Sequence, residues 1–399
     1  RDGGRSPVGV RRRLRVTLVV SEIALASLLL VGAGLTLRSF RALLDTQPGF
    51  GADRVITAVI SLPASRYRGP ERLVSTFDGV EQRFRSIAGV RAVGGTSHLP
   101  LSGQDSRRGI MVEGYVAPPN TPTRAHPRMV TPGYFNAMGL QLVRGRTFTV
   151  DDRPDGPAVA MVNETMARRY WPDTSPLGKR VAFVGTGGWR EVVGIVRDVR
   201  HWGVDRPVNP EMYVPFTQLP PGRVTFALAT AGDPRTIVAA VREHLRAVDP
   251  DLPLSNVRTM SEIVAQSMAA RRATMLLLGV FGTLALVLAA AGIYGVMAHL
   301  VALRASEIGV RMTLGARPGS VLRLVLTEGL LQATAGLIIG LTGAVVLMRS
   351  LRALLYEVGP ADPLTLAGVA AILLATAALA CLVPARKAMR VDPITALRG

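Results

Sequence analysis

The stretch Leu303–Arg323, LRASEIGVRMTLGARPGSVLR, lies between two long apolar segments of the chain. Each flanking segment is long enough to cross a bilayer, which takes about 20 residues, so the stretch is a short loop on one side of a membrane. Polar residues recur every few positions with apolar residues between them, which predicts a short interfacial helix. Gly315 and the turn at 317–319 are expected to close that helix.

The order of residues in this loop is more informative than its arginine content, because arginines alone could serve only to fix the topology. The pattern EIGxRxxLGA at 307–316 resembles the cytoplasmic loop of the MacB/FtsX family of ABC-transporter permeases. In that family the loop is a coupling helix that docks on a partner ATPase. The resemblance therefore implies a coupling role for Arg304, Glu307, Ile308, Gly309, Arg311, Leu314, Gly315 and Ala316.

The composition fits a membrane protein better than a nucleic-acid-binding one. The 399 residues are 48% hydrophobic, with a mean hydropathy of +0.30 and a net charge of +19. Residues 45–270 hold 27 basic and 21 acidic residues, a net of +6, whereas the rest of the chain holds 20 and 7, a net of +13. The excess charge thus lies beside the apolar segments, as the membrane-orientation rule expects, and we expect no nucleic-acid partner.

Four apolar segments are long enough to span a bilayer. Fourteen flanking basic residues lie on the side that holds both termini and six on the other side, so both termini are expected in the cytoplasm. The predicted order is a basic lead-in (1–15), helix 1 and its stalk (16–44), an extracytoplasmic domain (45–258), a stalk and helix 2 (259–303), the coupling loop (304–323), helix 3 (324–348), an extracytoplasmic loop (349–363), helix 4 (364–383) and a cytoplasmic tail (384–399).

The long segment between the first two spans alternates predicted strands and helices. It is expected to form a large extracytoplasmic α+β domain of two subdomains, with a break near Gly156. Asn163 is positioned to cap one helix. Thr259 and Glu262 have the spacing of a capping box, and the helix that they open is expected to run unbroken into the membrane. The predicted fold class is therefore an α-helical membrane protein with four transmembrane helices and this domain.

Further motifs extend the resemblance to nearly the whole chain. The tail PARKAMRVDPITALR at 384–398 is similar to the C-terminal ending of the family. In the insert, VTPGYFNAMGLQLVRGRTF at 130–148, VNETMARRYWP at 162–172 and EVVGIVRDVR at 191–200 resemble the MacB periplasmic core domain. The large duplicated permeases of the family carry two such halves in one chain. The resemblance implies a porter-like α/β lobe, a second lobe and a location in the bacterial cytoplasmic (inner) membrane.

The sequence contains no recognisable catalytic motif. The phosphate-binding pattern GxxxxGK[ST] is absent, and Lys179 lacks both the first glycine and the following hydroxyl. The single cysteine, Cys381, excludes an intrachain disulfide, and no Cys/His zinc spacing exists. The acidic cluster at 151–155 is interpreted as a solvated turn. We therefore predict no enzyme activity, cofactor or metal in this chain, and the resemblance implies ATP and Mg on a partner ATPase.

Two sets of residues inside the spans are candidate functional positions. Acidic residues within a membrane are functional candidates by default, although pairing with neighbouring arginines near the membrane surface is the favoured interpretation here. Small residues at helical spacing indicate either a close helix–helix contact, such as a dimer or half–half seam, or ordinary membrane composition. The acids are Glu22 and Glu328, and the small residues are Gly279, Gly282, Ala285, Ala289 and Gly292.

Two functions follow from the resemblance. The first is the permease subunit, or half, of a MacB-like type VII ABC transporter, in which a separate ATPase moves the extracytoplasmic domain for efflux. The alternative is an FtsX-like signalling module that regulates an external partner such as a cell-wall hydrolase. The implied partners are an ABC-type ATPase, a second permease half or a homodimer partner, membrane lipid, and a periplasmic adaptor or outer-membrane channel. The large insert favours export.

Overall fold

The computed structural model describes residues 7–185, 188–303, 318–352 and 355–389. The chain divides into two compact units. We call them the membrane unit, which takes in Arg1–Asp45 and Ala270–Gly399, and the insert unit, Thr46–Ala269.

The elements follow one another from a long N-terminal helix, through the insert, to three further long helices. In chain order they are α1 (Pro7–Asp45), β1 (Val55–Ser61), α2 (Pro70–Arg85), β2 (Val90–Thr96), β3 (Arg108–Val112), β4 (Arg124–Val130), α3 (Tyr134–Ala137), β5 (Leu142–Gly145), β6 (Val159–Asn163), α4 (Glu164–Tyr170), β7 (Arg180–Phe183), β8 (Arg190–Val196), β9 (Glu211–Pro215), β10 (Arg223–Thr230), a 3₁₀ turn (Pro234–Ile237), α5 (Val238–Arg246), β11 (Leu254–Thr259), α6 (Met260–Ser267), α7 (Ala269–Leu303), α8 (Pro318–Ser350) and α9 (Pro363–Met389).

Four helices of the described chain are long and apolar enough to cross a membrane, as predicted. The apolar stretches are Leu14–Asp45, Ala269–Leu303, Leu322–Ser350 and Pro363–Arg386. Three of the helices extend past the predicted spans, and α1 already begins at Pro7, inside the predicted lead-in. α8 already begins at Pro318, since proline suits the first helical turn, and α9 continues through Pro384 to Met389.

Glycines on α8 bring that helix into close contact with α1. A Cβ atom at Gly336 would lie 2.8 Å from the Ile23 Cβ, and one at Gly340 would lie 2.5 Å from the Ser27 Cβ. Only glycine permits this approach, which follows the G-x-x-x-G spacing of close helix pairs. The apolar core of the membrane unit forms around the contact.

The first lobe of the insert unit is an antiparallel sheet in the order β11-β1-β10-β2, covered by α2 and α5. The chain order β1-α2-β2 and β10-α5-β11 is the split βαβ arrangement. Phe77, Val80 and Phe84 lie on one face of α2 at helical spacing and are almost fully buried against the sheet. Their apolar side chains dictate which face of α2 turns inward.

The second lobe is inserted between β2 and β10. Its strands pair in the order β4-β3-β7-β8-β6-β9, and β9 returns to pair in parallel with β4, so the ladder closes on itself. β5 adds to β8, and α4 packs beside β6 after the predicted Asn163 cap, whose side chain accepts a hydrogen bond from the Met166 backbone.

Two expectations about connections are wrong. The break near Gly156 does not exist, because Gly156 lies inside the second lobe, and the lobes separate instead after β2 and before β10.

The helix opened at Thr259 is also not continuous. The capping box with Glu262 is present, but α6 ends at Ser267 and α7 begins at Ala269, with Met268 as the C-cap of α6.

The segment TPGYF at 131–135 leads into α3 and rests directly on β2. A Cβ atom at Gly94 would lie 2.1 Å from the Tyr134 backbone nitrogen, and one at Gly133 would lie 2.1 Å from the Val93 carbonyl oxygen. Two glycines therefore allow backbone to pack on backbone at this point. The contact seats Tyr134 and Phe135 in the core that β2, β4, β9 and β10 share.

Candidate functional site

The predicted coupling residues between Arg304 and Ala316 lie outside the described residues. The structure locates only the helices on either side of them, since α7 ends at Leu303 and α8 begins at Pro318. The segment therefore connects the second and third apolar helices, and its coupling role stays a prediction.

Glu22 lies on α1 where that helix passes α7. Its Oε2 atom is buried and has no hydrogen-bond partner among the described residues. A Cβ atom at Gly292 would lie 2.2 Å from this oxygen, so the glycine makes the room that the carboxylate occupies. Two predicted candidates, an intramembrane acid and a small residue, are thus brought together.

Glu328 occupies a different part of the membrane unit. It is half-buried on α8, and the next residue, Gly329, faces the Cys381 sulfur of α9, which a Cβ would approach to 2.3 Å. One turn further along α8, Gln332 is buried, and its Oε1 has no hydrogen-bond partner within the described chain. The sequence interpretation had not included Gln332, although a polar residue inside a span is a recognisable signal.

The five small residues of α7 do not share one environment. A Cβ at Gly282 would lie 3.2 Å from the Leu30 side chain of α1, Ala289 is fully buried, and Ala285 packs against the same core. Gly292 packs against the Glu22 carboxylate, but a Cβ at Gly279 would meet nothing within 4 Å. Four of the five therefore pack within this chain, whereas Gly279 faces open space.

The insert unit contains a group of buried charges that sequence reasoning missed. We call it the Arg128 cluster: Arg128, Glu211, His201, His126 and Trp202. The Arg128 side chain is fully buried, and its Nη2 atom donates to the Glu211 Oε1 atom at 3.5 Å. Its guanidinium carbon lies 5.4 Å from the centre of the Trp202 ring, a cation–π geometry. The Nε and Nη1 atoms have no hydrogen-bond partner among the described residues.

Aromatic and acidic groups enclose this arginine. The Glu211 Oε2 atom accepts a hydrogen bond from the Tyr213 hydroxyl at 2.9 Å. The His201 Nε2 atom lies 3.4 Å from that same oxygen without forming a hydrogen bond. The His126 ring meets the Trp202 ring edge-on with centres 4.4 Å apart, and its Nδ1 atom lies 2.7 Å from an Asp105 oxygen.

Burial sets the protonation of these groups. It raises the pKa of Glu211 to about 7, against the opposing effect of Arg128. Burial, helped by the positive charge of Arg128, lowers the pKa of His98 to about 4 and that of His201 well below its ordinary value. Burial also lowers the pKa of His126, although Asp105 opposes the shift. The cluster is therefore one arginine among neutral histidines, with a carboxyl group that titrates near neutral pH.

The described residues contain no group of histidines, cysteines and acids that could hold a metal ion. In the acidic cluster, Asp152 is buried rather than solvated. Its carboxylate accepts two hydrogen bonds from Arg146, at 2.8 and 2.9 Å, and one from the Thr149 backbone at 2.8 Å. The Asp152 carboxylate therefore closes a turn. The prediction that the cluster at 151–155 is solvated is wrong for this residue.

Four apolar helices with a large α+β insert between the first and second define a multi-pass membrane protein with one large inserted domain. Residues 18–248 match the family described as MacB-like periplasmic core domain, and residues 279–393 match the family described as FtsX-like permease C-terminal. Because the first match covers more than half of the chain, this protein belongs to the MacB-like permease family of ABC exporters.

Several curated proteins are similar to the chain. The macrolide export ATP-binding/permease protein MacB of Marinobacter nauticus is 28% identical over 269 residues, which cover 64% of this chain and 40% of that protein. The pyoverdine export protein PvdT of Pseudomonas fluorescens is 29% identical, with the same coverage. The uncharacterized permease YknZ of Bacillus subtilis is 28% identical, covering 67% of this chain and 68% of its own. The chain thus spans about two fifths of the length of MacB and PvdT.

Solved structures of extracytoplasmic regions also align with the chain. The periplasmic region of MacB from Actinobacillus actinomycetemcomitans is 18% identical and covers 57% of this chain and 98% of its own, with a TM-score of 0.37. The extracellular domain of YknZ is 18% identical and covers 50% of this chain and 100% of its own, with a TM-score of 0.34.

Proposed function

We propose that this chain is the permease part of a MacB-like exporter driven by a separate ATPase. The observation that carries the proposal is the succession, in one polypeptide, of a MacB-like core domain at 18–248 and an FtsX-like permease segment at 279–393. ATP and Mg bind to the partner, and no catalytic residue is assigned here. Export rather than FtsX-like signalling is favoured because the match to the periplasmic core domain occupies most of the insert.

The proposed orientation places both termini and the 304–316 segment in the cytoplasm, in a bacterial inner membrane. The support is the distribution of basic residues, fourteen against six. Hydrolysis by the partner then moves the segment that joins α7 and α8, and the helices transmit that motion to the insert unit. A second permease half or a second copy completes the assembly, and an adaptor or outer-membrane channel is a further partner in this proposal.

The direct test is the charge reversal Glu307→Lys. The variant is expected to lose co-purification with a partner ATPase, and to lose the stimulation of ATP hydrolysis by the permease, because the charge at position 307 is reversed. Glu357→Lys, at an exposed position between α8 and α9, is the matched control and is expected to behave like the parent. Comparable membrane insertion of both variants, followed by unchanged ATPase binding in Glu307→Lys, would remove the coupling assignment.

A further inference from the structure

An apolar groove runs along the membrane unit between α1, α7 and α9. It has a volume of about 910 Å³. Leu276, Val280 and Leu284 form one wall along α7 at four-residue spacing, and each is more than half exposed. The other wall is α9, where Leu364 and Ile372 line the groove.

Glycines on the two facing helices give the groove its width. Gly279 of α7 and Gly368 of α9 both line it, and a Cβ atom at either position would meet nothing within 4 Å. The sequence left open whether Gly279 packs against another helix or reflects ordinary membrane composition, and no atom of another described helix lies within 4 Å of a Cβ placed there. Bare backbone therefore lines both walls of the groove at these two positions.

The polar groups inside the groove are already satisfied. The Thr283 hydroxyl donates to the Gly279 carbonyl oxygen at 2.9 Å, and the Thr365 hydroxyl donates to the Asp362 Oδ2 atom at 2.6 Å. Away from Arg38 and Arg41, neither hydroxyl has a proton left to donate, so this part of the lining favours an apolar chain.

Positive charge lies at one end only. Arg38 and Arg41, three residues apart and therefore on one face of α1, both line the groove. Arg38 is paired with Asp362. Arg41 is exposed and forms no ion pair among the described residues. The groove extends from Leu30 to Arg41, which is roughly 16 Å along α1 at 1.5 Å per residue. This length is close to the hydrocarbon depth of one leaflet, which is about 15 Å.

We propose that this groove binds one anionic phospholipid, with the phosphate at Arg41 and Arg38 and an acyl chain along Gly279 and Gly368. An apolar channel with positive charge at one end, and with the depth of one leaflet, complements a molecule that has an anionic head and an apolar chain. The bilayer around the helices supplies that molecule. This site is independent of ATPase coupling.

The test measures lipid retention by native mass spectrometry of the full chain purified in detergent, with phosphatidylglycerol as the probe and phosphatidylcholine as the neutral-headgroup comparison. The parent is expected to retain phosphatidylglycerol in preference. Arg41→Gln is expected to weaken that retention roughly five-fold, since one basic side chain contributes about 1 kcal/mol toward an anionic headgroup. Gly368→Leu and Gly279→Leu are expected to abolish retention of both lipids by filling the groove.

Matched controls separate the site from general effects. Gly343→Leu places the same side chain on α8 at a position where a Cβ meets nothing within 4 Å, and Arg352→Gln removes an exposed arginine that does not line the groove. Both are expected to retain lipid like the parent. Retention unchanged in folded Gly368→Leu, or lost equally in the controls, overturns the proposal. Conversion of a dimeric parent to a monomer by Gly368→Leu also overturns it and assigns the groove to a second copy of the chain.

Discussion

Arg128 places a full positive charge in the interior of the insert unit. Glu211 is its hydrogen-bond partner among the described residues, and the face of Trp202 lies next to its guanidinium. Removing one member of a buried pair costs about 3–5 kcal/mol because the other charge is left uncompensated. The cluster joins β4, β9 and the loop after β8, so those three parts of the second lobe are held in one arrangement.

The raised pKa of Glu211 predicts a specific pH dependence. Between its ordinary value of 4.5 and about 7, the folded protein holds a proton that the unfolded chain releases. Acidification through this window therefore adds stability at about 1.4 kcal/mol per pH unit. The pKa values of three histidines, His98, His126 and His201, are lowered from 6.5. Below pH 6.5 these histidines therefore have the opposite effect, and acidification reduces their contribution to stability. The variant Glu211→Gln lacks the stability that Glu211 gains on acidification. It is therefore expected to lose more stability than the parent when the pH is lowered from 7 to 5.

Chemical unfolding of the purified chain from pH 5 to pH 8 checks this expectation. Glu113→Gln is the control, because hydrogen bonds from Arg180 lower the pKa of Glu113 and move its contribution below the window. Parallel pH curves for the parent and Glu211→Gln would show that Glu211 stays ionised throughout and that the explanation by burial is wrong.

The sequence could not reveal this cluster. A single histidine beside a tryptophan, as at His201 and Trp202, is typical of packing or surface positions and does not indicate a buried charge. Arg128 and Glu211 are 83 residues apart and meet only because β4 and β9 pair in parallel. Capping residues are different, since their partners are three residues away, and both Asn163 and Thr259 act as predicted.

At the scale of elements, the contact between α1 and α8 depends on Gly340. Leucine at this position would overlap Ser27 and the Ala24 backbone, and overpacking of this kind costs about 1–3 kcal/mol. Gly340→Leu is expected to lower the melting temperature of the membrane unit in detergent. Gly343→Leu, one turn further along the same helix in open surroundings, is expected to leave it unchanged. Equal melting of the two variants would mean that the helices do not approach this closely.

The helices that leave the membrane unit toward the insert are a second feature at this scale. α1 continues to Asp45, roughly 12 Å past Leu37, the last residue before Arg38 interrupts the apolar run. Where the chain returns from the insert unit, α6 ends at Ser267 and α7 begins at Ala269, so only Met268 lies between the two helices. Such segments can carry a push as rigid bodies, whereas a flexible linker would absorb it.

Inserting Gly-Gly-Gly after Ala270 is therefore expected to abolish export while the partner's ATP hydrolysis continues. Glycine is about 1 kcal/mol per residue worse than alanine in a helix, so the insertion breaks the first turns of α7. The same insertion after Pro118, in an exposed loop of the second lobe, is the control. Normal export by the variant with the insertion after Ala270 would mean that this connection only links the two units and transmits no motion.

Elements were predictable where their signal was local. The apolar length of the four spans and the strand–helix alternation of the first lobe are properties of short windows. β5 and β7 were missed, since each has four residues and little alternation. The helix break at Met268 was missed for a related reason, because neither glycine nor proline marks it.

At the scale of the molecule, the arrangement of the two lobes was the least predictable property. A break near Gly156 assumed that each lobe is continuous in sequence. Instead the second lobe is inserted between β2 and β10, so the first lobe is assembled from residues more than a hundred positions apart. Pairing of Thr225 with Thr96 is a tertiary choice that no short window encodes.

The insert unit contains everything that a folding domain needs, and we expect residues 46–269 to fold without the membrane helices. Its buried residues form three apolar clusters, and its sheet pairs strands from both ends of the segment. Expressed alone, it is expected to be monomeric and to melt cooperatively. Phe84→Ala, at a fully buried position on α2, is expected to destabilise it by about 3–5 kcal/mol, because the lost ring leaves a cavity in a packed core. Calorimetry of both proteins checks this. An aggregated or non-cooperative parent would mean that the membrane helices hold the insert together, whereas a variant that melts like the parent would mean that the Phe84 ring does not lie in a packed core.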